Sequence, residues 1–445
     1  MKLNDIILSQ IIPSSDEQER IDAAVRELVA KTSEIGQKLG APFEPQLVGS
    51  VAKGTHLTRP DIDLFLKFPV GFSKEEMGEI DKSIGRAILD DPEERYAEHP
   101  YISGVWRGFR TDLVPCYTVS SGRGKISAVD RTPFHTSYIQ GHLSESQRDE
   151  VRLLKQFMKG IGCYGAEAKV QGFSGYLCEL IVLRFRNFDG SVKAASAWKP
   201  PILLDLGNKT RKRFDDPLTF VDPVDPGRNV ASPVSREVLE LFTEACEAFL
   251  DEPSDRFFFP VERKPWNEKA LAEALAGNPG TVLVELPALD VVDDVLWPQL
   301  RKTGKSIAES LEREGFRPDR LTLRSENERN VVVVSCKVPE LGPSMTHFGP
   351  PEKSSHAEIF VQKWKGSGKK PPEVEGGRWK VELKRQIRTP KDLLVKKFRN
   401  VRLGKGFRDI ESPKVLDAGE LMKNNRDYRR VLTEHFDKRR PWQIP

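Results

Sequence analysis

Residues 49–68 read GSVAKGTHLTRPDIDLFLKF, from Gly49 to Phe68. The Gly49-Ser50 pair is a tight turn that opens a short helix. Behind Pro60, the segment DIDLFLKF alternates and then runs apolar, which predicts a strand. Successive side chains of a strand point to opposite faces, so Asp61 and Asp63 share one face, roughly 7 Å apart. Two carboxylates on one face, just after a turn with free backbone N–H groups, suit divalent cations holding a nucleoside triphosphate. Standing alone, alternating Asp residues equally describe a solvated strand face.

A third carboxylate shifts the balance. Downstream, GVWRGFRTDLVPCY is a second strand-like run with Asp112 between Thr111 and Leu113. Phosphoryl transfer through two metals about 4 Å apart needs a carboxylate that also reaches the attacking hydroxyl, and a neighbouring strand can supply it. The combination of Gly-Ser turn, DxD and later strand Asp resembles the DNA polymerase beta-like nucleotidyltransferase superfamily. The resemblance implies a palm with a small mixed sheet.

Composition sets the frame. With 445 residues, 38% hydrophobic and 31% charged, the chain is a globular protein of about three domains rather than a disordered one. There is no apolar run of about 18 residues, so no membrane span is expected. The start, MKLNDIILSQIIPSSDEQER, has acidic and polar flanks and does not read as a signal peptide. Cys116, Cys163, Cys178, Cys246 and Cys336 are scattered without metal-ligand spacing, as buried thiols in a reducing cytoplasm would be. The net charge of +4 is unevenly placed. From Arg378 to Arg440 there are 20 Lys and Arg against 9 Asp and Glu, a surplus of 11 that leaves the remainder near −7. Such a region is a phosphate-backbone footprint or an ordinary solvated basic face.

In chain order, residues 14–40 predict an amphipathic helix capped by Ser15 with Gln18 and closed by Gly40. PQLVG, YAEHPYISGVWRG and FRTDLVPCY read as strands, Lys74–Leu89 as a helix, and GKISAVDRTPFH as the exit from this first region. Residues 1–143 are thus a mixed α/β catalytic domain. Ser144 and Gln147 have capping-box spacing before Val151, Leu154, Phe157 and Met158, and FSGYLCELIVLRF is an apolar helix. WKPPILLDLG is strand-like, VDPVDPGRNVA a loop, and SPVSREVLELFTEACEAFL a capped helix, so residues 144–259 form a mainly helical central domain. GTVLVELP, a helix through Leu300, Ile307 and Leu311, and NVVVVSCKVP suggest a small α/β module over 260–348. Gly349–Gly377 reads as an exposed or partly ordered connection, and 349–445 as a basic tRNA-binding tail region. The fold class is α+β and multidomain.

Three stretches sharpen the resemblance: AVDRTPFH (Ala128–His135), VRLLKQFMKGIGCYGAEAKVQGFSGYLCEL (Val151–Leu180) and VDPVDPGRNVA (Val221–Ala231). Together with the carboxylates they are similar to the class I, archaeal-type CCA-adding enzymes, with weaker support from DDVLWPQL (Asp293–Leu300). The resemblance implies that a tRNA 3′ hydroxyl attacks the α-phosphate of CTP or ATP and releases pyrophosphate, with Mg²⁺ in a two-metal site. It gives Asp61 and Asp63 to the triphosphate metal and Asp112 to the metal at the hydroxyl. Ser50 and the turn amides would cradle phosphate. His135, Lys155 and Tyr164 would contact the nucleotide, and Arg228 would help choose C or A. Lys155 and Tyr164 lie about two and a half turns apart, on opposite faces of an unbroken helix, so Gly160 and Gly162 must end it first. Lys53 stands where members usually carry Arg, and Asp61 where a Glu is often found. A homodimer in the cytoplasm is also implied.

The basic region, with Arg426, Arg429 and Arg430, is the expected surface for the tRNA acceptor arm, because A-form RNA offers mainly phosphates and 2′-hydroxyls. On the residues alone, His135 is equally a bonded loop histidine, Lys155 a solvated helix charge and Tyr164 a core aromatic. Two other functions remain open at this stage: a poly(A) polymerase-like terminal nucleotidyltransferase, and a catalytically silent RNA-binding protein on the same fold.

Overall fold

The computed structural model describes residues 2–96, 100–120, 126–207, 210, 212–326, 328–366, 370–410 and 412–445. The chain divides into two compact units, Met1–Glu262 with Arg440–Pro445, and Arg263–Arg439.

The first unit opens with α1 (Leu3–Ile11) and α2 (Ser15–Lys38). The cap of α2 is Ser14, not Ser15: its Oγ accepts from the Glu17 N–H at 3.2 Å. Ser14, behind Pro13, has the extended backbone that an N-cap requires, whereas Ser15 is already helical. Gln18 therefore closes no box and instead donates to Asp22 at 2.9 Å. Gly40 follows the C-cap with φ +64°, as a left-handed C′ residue.

Next come β1 (Glu44–Val48), α3 (Gly49–Lys53), β2 (Ile62–Phe68), α4 (Lys74–Ile88), β3 (Asp90–Tyr96), β4 (Pro100–Trp106) and β5 (Phe109–Tyr117). The expected strand YAEHPYISGVWRG is split between β3 and β4, and its residues 97–99 lie outside the described residues, as do Gly124 and Lys125 of GKISAVDRTPFH. The sheet order is β1-β2-β5-β4-β3, with β2 and β5 parallel and the other neighbours antiparallel. Alternation puts Ile62, Leu64, Leu66 and Phe68 on one face, in a core with Ala24 and Leu28 of α2 and Met77 and Ile84 of α4. Asp63 is thereby turned to the other face.

The helical part follows: α5 (Thr132–His142), α6 (Glu145–Ile161), α7 (Gly175–Phe185), α8 (Phe188–Ala195), β6 (Ile202–Leu204), β7 (Leu218–Phe220) and α9 (Arg236–Asp251). Ser144 and Gln147 form the predicted capping box. Helix α6 ends at Ile161, with Gly162 at φ +81° reversing the chain. Phe157 anchors an aromatic cluster with Phe188, Phe249, Phe257 and Phe258. Helix α8 escaped sequence reading because it has only 8 residues and Asp189, Gly190 and Ser191 interrupt its apolar pattern.

The second unit contains α10 (Glu268–Gly277), β8 (Val282–Pro287), α11 (Asp293–Glu314), β9 (Pro318–Glu326), β10 (Arg329–Cys336), β11 (Ser344–Pro351), α12 (Ala357–Trp364), β12 (Glu373–Glu375), β13 (Arg378–Lys384), α13 (Pro390–Lys397), β14 (Lys414–Asp417), α14 (Ala418–Asn424) and α15 (Arg429–Phe436). The four-stranded sheet β14-β8-β10-β9 is antiparallel throughout. Val282, Val284, Val332 and Val334 pack on one face with α11, while Leu283, Val331 and Val333 pack on the other with α10, α14 and α15. Burial on both faces explains the unbroken valine runs.

Two expectations are corrected here. Gly349–Gly377 is not a bare connection: α12 and β12 lie within it, and β12, β13 and β11 form a three-stranded sheet. The basic region is likewise folded, with β14 as an edge strand of the main sheet and α13 to α15 built onto it. Its Lys and Arg residues obscured short buried stripes such as Leu393-Leu394 and Val431-Leu432. All five cysteines are buried free thiols.

Candidate active site

The parallel register of β2 and β5 sets Asp63 directly beside Asp112, and Ser103 of β4 is the next neighbour of Asp112. The Ser103 hydroxyl donates to Asp112 Oδ1 at 2.6 Å and fixes that carboxylate. Asp61 precedes β2 at the exposed mouth of the strand. Removal from water, then the Asp112 and Asp61 charges, push the Asp63 carboxyl up to about 7. Mutual repulsion of this kind fits a place built for cations, and an all-oxygen donor set is the chemistry of hard divalent ions. Among the described residues, no three such side chains close on a common point as they stand.

Gly49 is required here. It adopts φ +71°, and a Cβ on it would fall 1.9 Å from Asp63 Oδ2. The Gly49-Ser50 turn thus packs its backbone against the Asp63 carboxylate, which a residue with a Cβ does not permit.

A cleft of about 480 Å³ opens from this point, lined by Ser50, Lys53, Thr55, Asp61, Asp63, Lys155, Lys159, Tyr164, Tyr176 and Glu179 among others. Lys155 and Tyr164 do meet. Both the Tyr164 hydroxyl and Lys155 Nζ pack over Gly175 at the start of α7, at 3.0 and 3.5 Å from where its Cβ would be. The reversal at Gly162 makes this geometry, helped by the Tyr164 N–H donating to the Met158 carbonyl at 3.1 Å.

The floor of the cleft is a buried charge cluster that the sequence did not reveal. Glu179 is wholly buried. Its Oε2 accepts from Lys53 Nζ at 2.6 Å, and its Oε1 from Thr55 Oγ1 at 2.6 Å and Lys155 Nζ at 3.4 Å. Lys155 also donates to the Thr55 carbonyl and hydroxyl at 3.1 and 3.0 Å. Burial opposes the Glu179 charge, but Lys53 and Lys155 outweigh it and hold its pKa below the usual range. Desolvation lowers that of Lys155. Lys53 is therefore a buried, paired cation, with Nζ 5.8 Å from the Tyr176 ring centroid.

The second hub is Asp222, also fully buried. It accepts from His135 Nε2 at 3.0 Å, an Arg228 guanidinium N–H at 3.0 Å, the Tyr176 hydroxyl at 3.3 Å and the Val224 N–H at 3.0 Å. His135 stacks on Tyr176 with centroids 4.0 Å apart. Burial keeps the imidazole below its ordinary pKa, against the opposing pull of the Asp222 carboxylate. Burial works against the Asp222 charge, yet its hydrogen-bond donors bring its pKa to about 2. His135 and Arg228 are thus held on one carboxylate. A lone acid inside the apolar FSGYLCELIVL and an Asp six residues before Arg228 were the available signals for Glu179 and Asp222.

The three arginines expected to meet the tRNA, Arg426, Arg429 and Arg430, separate. Arg426 and Arg430 are exposed, whereas Arg429 donates to the carbonyls of Trp266 and Pro265 at 2.9 and 3.3 Å and is partly buried. Its guanidinium ties α15 to the segment before α10.

Three family models match consecutive parts of the chain: a nucleotidyltransferase domain over residues 29–135, the second domain of tRNA nucleotidyltransferase over 149–259, and the C-terminal domain of CCA-adding enzyme over 280–415. A protein named CCA-adding enzyme from Thermoplasma acidophilum is 38% identical over 407 residues, covering 90% of this chain and 91% of its own. One from Thermoplasma volcanium is 36% identical, covering 97% and 96%, and one from Halobacterium salinarum is 38% identical, covering 86% of each. A solved structure of the Cid1 poly(U) polymerase aligns with a TM-score of 0.46 at 15% identity, over 57% of this chain and 96% of that one. With such identity along nearly its whole length, the chain belongs to the CCA-adding enzyme family of tRNA nucleotidyltransferases.

Proposed function

We propose that the chain adds C, C and A to the 3′ end of tRNA from CTP and ATP without a nucleic-acid template, and repairs damaged 3′ ends in the same way. The observation that carries this reading is the register of Asp63 and Asp112 beside a cleft floored by two buried lysines. In the reaction a 3′-hydroxyl oxygen bonds to the α-phosphorus, the bond to the bridging β-oxygen breaks, and pyrophosphate leaves. The hydroxyl proton moves toward the Asp112 carboxylate, which Ser103 orients.

Asp61, Asp63 and Asp112 would hold divalent ions, with Mg²⁺ as the natural choice for carboxylate and phosphate oxygens. When bound, such ions neutralise developing charge on the phosphoryl group and acidify the attacking hydroxyl. Ser50 and the turn amides would receive phosphate oxygens, with Lys53, Lys155 and Tyr164 along the triphosphate and sugar. His135 and Arg228, braced together on Asp222, would face the base. We read residues 1–143 as the catalytic palm, 144–259 as the nucleotide-recognition domain, and the remainder, 260–348 with the folded basic region 349–445, as the part that meets the tRNA body. Among the described residues, no helix is long and apolar enough to cross a membrane.

The test is tRNA lacking its CCA end with CTP alone, ATP alone and both. Two C residues, no addition, and C, C, A followed by a stop are the expected products. A lengthening homopolymer would instead support a terminal nucleotidyltransferase of the poly(A) type.

A further inference from the structure

A 3-10 turn, Val129–Arg131, runs straight into α5 and joins two parts of the first unit. Its Asp130, wholly buried, accepts from the Tyr117 N–H at 2.9 Å and from the Ile126 and Ser127 N–H groups at 2.8 and 2.6 Å. Tyr117 is the last residue of β5, so these bonds fix the turn to the strand that carries Asp112. The next residue, Arg131, reaches Asp225: a guanidinium N–H lies 3.4 Å from Oδ2, and the two side chains are only 10% and 14% exposed.

Asp225 belongs to the loop that carries Asp222 and Arg228. The Asp222 N–H donates to the Arg228 carbonyl at 3.1 Å, and the Arg228 N–H to the Asp225 carbonyl at 2.8 Å. The loop is therefore a closed hairpin ending in the turn Asp225-Pro226-Gly227-Arg228. Asp225 Oδ1 accepts from the Gly227 N–H at 3.3 Å, while Oδ2 takes Arg131. Arg131 already has helical backbone, and His135 stands one turn further along the same face. Successive turns of one helix thus grip two carboxylates of one short loop, Arg131 on Asp225 and His135 on Asp222.

Stability does not account for this arrangement. A buried ion pair rarely stabilises more than apolar side chains of the same volume, because both charges leave water. Among the described residues, Arg131 Nε is buried with no acceptor, which is a further cost. What the pair supplies in return is a fixed placement of the hairpin. We propose that Arg131 is a positioning residue for base selection: through Asp225 it holds the hairpin at the place from which Arg228 meets the base. The inference rests on the reading that His135 and Arg228 face the base. It adds what ties that pair to the strand of Asp112, so that base and α-phosphate are presented in one frame.

The experiment compares Arg131→Gln, Asp225→Asn and the double variant in the full chain, with tRNA lacking CCA and either CTP or UTP. Asn at position 225 keeps an acceptor for the Gly227 N–H and removes only the charge. Each single variant should lower the preference for CTP over UTP, read as the ratio of kcat/KM values, at least about tenfold. The double variant should lose no more than about twofold beyond the larger single loss, because either change alone already opens the pair. With saturating CTP, kcat should stay within about threefold, since Asp63, Asp112 and Ser103 lie outside the pair. An unchanged preference in both single variants overturns the proposal. So do losses that multiply in the double variant, and so does a fall in kcat with the preference intact, which would make the pair purely structural. Arg228→Gln, measured alongside, separates the two ideas: if it too leaves the preference unchanged, the base-facing reading fails; if it alone changes the preference, only the role of Arg131 fails. Should Arg131→Gln fold poorly, Asp225→Asn with Arg131→Lys, which keeps the charge but not the fork, carries the same comparison.

Discussion

Replacing Glu179 by Gln removes the carboxylate that pairs with both Lys53 and Lys155 in the floor of the cleft beside Asp63. Lys53 loses its 2.6 Å partner and keeps the Tyr176 ring and the more distant Asp63 charge, while Lys155 retains the Thr55 carbonyl and hydroxyl. Leaving a buried charge unpaired costs roughly 3–5 kcal/mol. A Gln oxygen still accepts one hydrogen bond, worth about 1 kcal/mol, so Glu179→Gln should destabilise the first unit by about 3 kcal/mol and Glu179→Ala by about 4. Because the folded-state pKa of Glu179 lies below its ordinary 4.5, its contribution is fully present above pH 4.5 and is lost as the pH falls through the depressed value. The gap between wild type and Glu179→Gln should therefore be constant near neutrality and close below pH 4.5. Saturating CTP should also narrow it, since a triphosphate beside Lys53 supplies the missing negative charge. Urea titrations at pH 7 and pH 4, with and without CTP, read all three effects. A Glu179→Gln protein within about 1 kcal/mol of wild type at pH 7 would refute the reasoning, because the lysines would then need no counter-charge.

Gly49→Ala places a methyl group 1.9 Å from Asp63 Oδ2 in a left-handed backbone, so transfer should fall at least roughly a hundredfold while the protein still folds; near-normal turnover would show that Asp63 can move away freely. Asp222→Asn should cost about 2 kcal/mol at pH 7, since its pKa of about 2 sits well under the ordinary 3.8 and the stabilisation disappears between those values. The same variant should blur the switch from C to A, read as misincorporation at the third position. Arg429→Gln should lower stability through loss of its bonds to the Trp266 and Pro265 carbonyls. Arg426→Gln with Arg430→Gln should instead leave stability unchanged and reduce the salt slope of tRNA binding by up to about one unit for each phosphate these arginines neutralise.

The carboxylate site was legible because strand alternation and a Gly-Ser turn are local rules. Asp63 and Asp112 could be set on strands from the residues, whereas Asp61, expected on the same strand, precedes β2, and the parallel β2–β5 register had to come from the structure. Lys155 and Tyr164 were also within reach, since Gly162 announces where α6 must stop. Pairings across long separations were not legible. Lys53 and Glu179 are 126 residues apart, and nothing near Lys53 tells a buried ion pair from a solvated charge. Glu179 was hidden within an apolar run, although a single acid in a buried helix always needs a partner. The sheet of β11, β12 and β13 was missed because β12 has only 3 residues, β11 ends in Gly349-Pro350-Pro351, which reads as loop chemistry, and β13 is dominated by charged side chains. The basic region looked like a tail because its charges outnumber the few side chains that bury it.

The most direct test of the account is Asp112→Asn in the full chain. Asp112 lies beside Asp63 but on β5, where it would serve the attacking hydroxyl rather than the triphosphate. With saturating Mg²⁺, CTP binding should stay within about threefold of wild type, while addition of C to tRNA lacking CCA should fall by more than about a thousandfold. Turnover within roughly tenfold of wild type would remove Asp112 from the reaction and contradict the central claim.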